Sequence, residues 1–189
     1  MSAPHPAHAQ EIYLNMQQSI GMNIGVTVVK GRRSIRKYRD TPVPQDVIED
    51  ALECARQAPT ARNAQPWLIG VVKDRALLTQ IAERTDNGKF IAQAQACFAV
   101  FCEKDQKYYL EDGCAATMQL ILGLWAHGVG SCWVAGDKKG YAPVIQEILG
   151  VPQIYTLVSL VPAGYPADLT PVAKKKMRDI TFTDHFSSS

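Results

Sequence analysis

The 189-residue sequence has no apolar run near the roughly 20 residues that a membrane-spanning helix needs, so no membrane partner is expected. It has no surplus of one charge. Twenty basic against 18 acidic residues leave a net +2, too little to point to nucleic acid. His5, His8, His127 and His185 share no metal-ligand spacing with one another or with the cysteines, so no metal site is expected. The five cysteines, Cys54, Cys97, Cys102, Cys114 and Cys132, are odd in number and form no C-x-x-C pair. They read as buried free thiols in a reducing cytoplasm. Residues 1–10 carry Pro4, His5, Pro6 and His8 but neither a basic start nor an apolar stretch. That is not a secretory pattern, and the expected location is cytoplasmic. There is no internal repeat, and Ser187-Ser188-Ser189 is the one low-complexity piece.

What is there suits one globular domain: 47% hydrophobic and 20% charged residues. Residues 1–21 are polar with weak periodicity and read as an arm of unknown role. From residue 22 onward, Ile24, Val28 and Val29 fall at helical spacing. After Pro42 and Pro44, the residues Val47, Ile48, Ala51, Leu52 and Ala55 trace one face of a second helix. Ala58-Pro59 closes it. Residues 67–72 and 97–102 read as buried strands, with a helix between them capped by Asp74. Residues 112–127 read as a helix apolar almost all round, which suggests a subunit interface. Short strands are expected at 131–135 and 156–161, a short helix at 143–149, and a polar, proline-marked tail after Gly164. Helices precede the first strand and strict βαβ alternation is absent. This favours an α+β sandwich over a doubly wound sheet.

Four clusters carry chemistry. In Arg32-Arg33-Ser34-Ile35-Arg36-Lys37-Tyr38, guanidinium groups and a hydroxyl lie at the close spacing that suits a terminal phosphate. Read alone, the run is also an ordinary solvated turn. Pro59-Thr60-Ala61-Arg62-Asn63-Ala64-Gln65-Pro66-Trp67 joins a helix to a strand. Its prolines stiffen a loop whose amides suit a flat, heteroatom-edged ring. Gly128-Val129-Gly130-Ser131-Cys132-Trp133-Val134-Ala135-Gly136 follows a helix, the wrong context for a dinucleotide fingerprint. Gly136 to Gly140 lacks the ending of a phosphate-binding loop. The glycines of this cluster instead permit close backbone approach. Lys174-Lys175-Lys176-Met177-Arg178 is a basic run in the tail.

Together with Gly164-Tyr165-Pro166, these segments resemble the FMN-dependent nitroreductase family in order and spacing, across residues 22 to about 183. The resemblance implies a nitroreductase-like α/β sandwich: a central, mostly antiparallel sheet flanked by helices, in an intertwined homodimer. The FMN-binding domain would span 22–189, C-terminal tail included. Arg32 and Ser34 would grip the phosphate side, with Arg33 beside them. Arg36 would face the N1/O2 edge of the ring. Pro59, Thr60, Ala61 and Asn63 would come from the partner subunit. Trp133, Val134, Ala135 and Gly136 would line the ring, with an amide of Ala135 or Gly136 aimed at N5. Lys176 and Arg178 would be late phosphate ligands. Asn87 and Lys89 are further candidates, at imperfect spacing. No metal and no side-chain catalyst is implied, since the flavin carries the chemistry.

The activity so implied is transfer of hydride from NAD(P)H through FMN to nitroaromatics, quinones or other electron-poor small molecules, in ping-pong fashion. Reductive dehalogenation and flavin breakdown occur on the same fold, but little sequence is left here for the lid they usually bring. A flavin store or sensor with little turnover would use the same motifs, and anaerobic reduction by NADH or NADPH separates it from an enzyme.

Overall fold

A computed structural model describes residues 23–170 and 172–186, so the arm expected over 1–21 lies outside it. Among these residues the helices are α1 (Ile24–Gly31), α2 (Gln45–Arg56), α3 (Arg75–Arg84), α4 (Tyr109–Ala126) and α5 (Ala142–Ile148). The strands are β1 (Trp67–Val72), β2 (Ala96–Glu103), β3 (Gly130–Ser131), β4 (Val134–Ala135) and β5 (Tyr155–Gly164). They form one antiparallel sheet. β1 pairs with β2, β2 with β5, and β3 and β4 lie in line on the far side of β5.

Alternation along β2 explains the layers. Phe98, Val100 and Cys102 face one core with residues of α2 and α4, while Cys97, Ala99 and Phe101 face another with residues of α3 and α5. A strand buried on both faces reads as a continuous apolar run, as residues 96–102 do. Each fully buried Leu, Ile or Phe here contributes about 1.5–3 kcal/mol. The Asp74 cap forms as expected: its carboxylate accepts the Leu77 N–H at 2.8 Å.

The structure corrects several expectations. β1 is an edge strand, only half covered, and Leu68 is exposed. The helix expected at 112–127 starts a turn earlier, at Tyr109. One side packs on the sheet and α2, while Met118 on the other remains exposed. The last strand runs on through Pro162 to Gly164, although proline is unusual in a central strand. Cys132 donates its N–H to the Pro162 carbonyl at 3.3 Å, and proline has no N–H to return. The single strand expected over 131–135 therefore splits in two, while its register against β5 runs on unbroken from Gly130 opposite Gly164 to Ala135 opposite Ser159. The tail is less polar than its prolines suggest: Leu169, Val172, Ile180, Phe182 and Phe186 are exposed.

Candidate functional site

The basic segment docks on the outer edge of β3. Ser34 bridges Ser131 in parallel, and the Ile35 N–H donates to the Ser131 carbonyl at 2.9 Å. The Tyr38 hydroxyl donates towards the carbonyls of Ile35 at 2.7 Å and Pro162 at 3.0 Å. Burial raises its pKa, which favours the protonated hydroxyl as a donor. Two glycines make the docking possible. A Cβ on Gly130 would meet Ile35 at 2.5 Å, and one on Gly164 would meet the Tyr38 ring at 3.0 Å. Within the glycine cluster, the close approach at Gly130 is therefore to this segment, while at Gly136 it is to Leu157 of β5. With Ile35 buried as the anchor, Ser34 and Arg36 remain exposed on either side of it.

Arg33 does different work. Its Nη1 donates to the carbonyls of Lys30, Gly31 and Arg32 at 2.8–3.0 Å, closing the C-terminal end of α1. Ser34 bridges Ser131, next to Cys132, and Arg36 lines one cleft with Cys132. Burial raises that thiol's pKa, an effect partly offset by the positive charges of Arg36 and Arg32.

Antiparallel pairing decides which amides of residues 133–136 are free. Cys132 donates to Pro162 and Gly136 donates to Val158 at 3.0 Å, so even-numbered residues point at β5. The odd-numbered residues point away from it, as Ser131 does when it receives Ile35. The N–H of Ala135 therefore faces outward, and its carbonyl takes the Tyr141 hydroxyl. Of the two amides expected to be aimed at a ligand, Gly136's is already spent and Ala135's is presented.

A cleft of about 170 Å³ opens on that edge. Arg36, Asn87, Phe90, Trp133, Val134 and Ala135 line it, together with Asp86, Cys132, Lys139 and Tyr141. The Arg36 guanidinium lies 5.9 Å from the Phe90 ring centre, within cation–π range. Lys139 pairs with Asp86 at 3.7 Å across the rim. Asn87 is thus in the cleft. Lys89 is not among its lining residues, and its ammonium caps α3 by donating to the Glu83 carbonyl at 2.9 Å. Phe90, Lys139 and Tyr141 escaped sequence reading, because no motif marks them and separate chain segments bring them together.

The remaining candidates lie apart within one chain. Thr60 precedes a single 3₁₀ turn at Ala61–Asn63. Ala61 lines a different, smaller pocket with Asp112 and Tyr108, which shares no residue with the first. Arg62, Asn63 and Gln65 adopt φ of 57°, 56° and 50°. Asn tolerates that region, whereas Arg62 and Gln65 hold it at a cost of about 1 kcal/mol or more each. Pro59 and Asn63 are exposed. Lys176 and Arg178 sit on the exposed tail, where Arg178 faces Asp179 at 3.7 Å.

Known proteins resemble this chain in sequence and in fold. The sequence model described as "Nitroreductase family" matches residues 29–110 and 85–165. A protein of Archaeoglobus fulgidus bearing the name NADH dehydrogenase/NAD(P)H nitroreductase is 35% identical over 143 residues, which is 72% of this chain and 82% of that one. An iodotyrosine deiodinase of Thermotoga neapolitana is 27% identical over 170 residues, 76% of this chain and 89% of its own. An FMN-dependent nitroreductase from Clostridium difficile R20291 superposes with a TM-score of 0.81 at 24% identity, over 85% of this chain and 99% of that one. The matched residues run from the end of α1 through β5, taking in the docked basic segment, the loop before β1 and the outward edge of β4, and on that footing the chain belongs to the nitroreductase family.

Proposed function

We propose that this protein is an FMN-dependent oxidoreductase that passes hydride from NAD(P)H to nitroaromatic, quinone or other electron-poor small molecules. The observation that carries the reading is the convergence, in one cleft, of Arg36, the Asn87 amide and the outward-facing edge of residues 133–135. The residues suit FMN on two counts. Its phosphate takes guanidinium and hydroxyl donors, and Arg32 and Ser34 supply them from one docked segment. Its flat ring carries acceptors at N5 and along N1/O2, where the Ala135 N–H and Arg36 are the matching donors. The names of the Archaeoglobus relative and the Clostridium neighbour support the same cofactor and co-substrate.

Bound FMN would supply the two-electron chemistry. The chain's part is to hold and bias it. Arg36 favours negative charge at the ring edge beside it. The Ala135 N–H fixes the ring's orientation, and Trp133 and Val134 form a wall along it. Donor and acceptor would take turns in one cleft, hence ping-pong kinetics. We infer also that a second copy completes the site. Pro59, Thr60, Ala61 and Asn63 lie away from the first cleft, and Ile24, Val29, Met118 and Phe182 are exposed apolar side chains that a partner would cover. No helix among the described residues is long and apolar enough to cross a membrane.

The visible spectrum of the purified protein tests the reading. Flavin peaks that bleach anaerobically on addition of NADH or NADPH support it, and a colourless protein that takes up no FMN overturns it. The deiodinase relative supports a second reading, reductive dehalogenation. Halide release from a halotyrosine by the reduced protein, at a rate exceeding nitroarene reduction, would favour it.

A further inference from the structure

We propose that Asp112 is the positioning residue for the loop of residues 59–65, setting from α4 the backbone that the FMN reading places against the flavin. The inference rests on that reading for its ligand and on the geometry for the rest. Asp112 is a carboxylate with only 5% of its surface exposed. Buried carboxylates are rare and are held by partners. Its Oδ1 accepts the backbone N–H of Ala61 at 2.9 Å, across 51 positions of sequence. Ala61 opens the single turn in which Arg62 and Asn63 take left-handed backbone angles, as Gln65 does just after it. Among the described residues the other hydrogen bonds of residues 59–65 are the loop's own: Asn63 to Thr60, Ala64 to Ala61, Gln65 to the Thr60 hydroxyl, and the Gln65 side chain to the Asn63 carbonyl; just past it, the Pro66 carbonyl accepts the Glu103 N–H at 3.0 Å. Local bonds of this kind leave the turn free to move as a unit. The bond to Asp112 ties it to a helix that is itself packed on the sheet and α2. Strained backbone persists where its surroundings over-determine it, and this carboxylate is the tether that does so. Because α4 also carries the exposed face expected at the subunit contact, the loop and that contact would be held in one frame.

The test compares wild type, Asp112→Ala and Asp112→Asn, each as purified full chain titrated with FMN. Hydrogen exchange over residues 59–66, read by mass spectrometry, reports the loop directly. Flavin fluorescence quenching reports affinity. Asp112→Ala is expected to speed loop exchange about tenfold and weaken FMN about tenfold, the scale of one lost hydrogen bond to a charged group. Exchange in β2 and β5 should not change. Asp112→Asn keeps an acceptor oxygen, so it should restore most of both losses. A merely structural role would lower the melting temperature and raise exchange everywhere without that rescue. If Asp112→Ala does not fold, Ala61→Pro deletes the donor from the loop side. Thr60 already has φ −132° and ψ 153°, which a residue before proline accepts. Unchanged loop exchange in the folded variant overturns the proposal, as does FMN affinity within twofold of wild type. A wild type that binds no FMN refutes the FMN reading instead, and the exchange measurement still decides whether Asp112 sets the loop.

Discussion

Neighbouring arginines in this chain have separate duties. Arg32 shares with Ser34 and Arg36 the segment that docks on β3, whereas Arg33 closes a helix with Nη1. Arg32→Ala is therefore expected to weaken FMN binding by about 2 kcal/mol or more, through unpaired phosphate charge. Arg33→Ala should instead lower stability by roughly 1 kcal/mol and leave affinity nearly intact. Parallel FMN titrations and urea melts check both, and equal affinity losses would contradict the assignment. Arg36 faces the cleft, so its removal should lower the midpoint potential of bound FMN more than it weakens binding of the oxidised form. A loss of about 1.4 kcal/mol corresponds to roughly 30 mV for a two-electron couple. The check is a redox titration of Arg36→Ala saturated with FMN, with Arg36→Lys recovering most of the shift.

The elements owe their spacing to small residues. α4 meets α2 through Gly123, where an added Cβ would lie 2.9 Å from Cys54 Sγ and 3.3 Å from the Ala51 Cα. Gly123→Ala gains helix propensity, yet it should destabilise the fold by about 1–3 kcal/mol through overpacking, read as a lower urea midpoint. The central strand sets an alkaline limit. Burial pushes the thiols of Cys97 and Cys102 up to about 12, against roughly 8.5 in an unfolded chain. Above that lower value the folded state holds protons that the unfolded state has released. Stability is therefore intact below about pH 8.5 and is lost as pH rises towards 12. Urea midpoints at pH 8 and pH 11 should differ, and the difference should shrink in Cys97→Ala.

At the scale of the molecule, one chain supplies a cleft but leaves other expected contacts elsewhere. Exposed Met118 on α4, Ile24 and Val29 on α1, and the apolar residues of the tail are surfaces that a second copy would bury. A stable homodimer is expected in sedimentation at micromolar concentration. Met118→Asp should shift it towards monomer and reduce FMN uptake together. A folded monomer that binds FMN with wild-type affinity would show that one chain holds the whole site.

Local chemistry made much of this legible in the sequence. The apolar period of residues 45–56, the cap at Asp74 and the uninterrupted apolar run of β2 each declare their element through backbone sterics and burial alone, which need no distant partner. The basic cluster at residues 32–36 was visible for the same reason, since its groups are near neighbours. Tertiary structure decided what depends on remote groups. Pro162 breaks the strand at Cys132 because the missing donor belongs to another strand. Antiparallel register selects the Ala135 amide over that of Gly136. Phe90, Lys139 and Tyr141 become cleft walls only when three segments close on one edge. Asp112 looked like one more residue at a helix start, until folding brought it to Ala61. Sequence reveals the tendencies of a segment, whereas hydrogen-bond partners and burial are properties of pairs that only the assembled fold brings together.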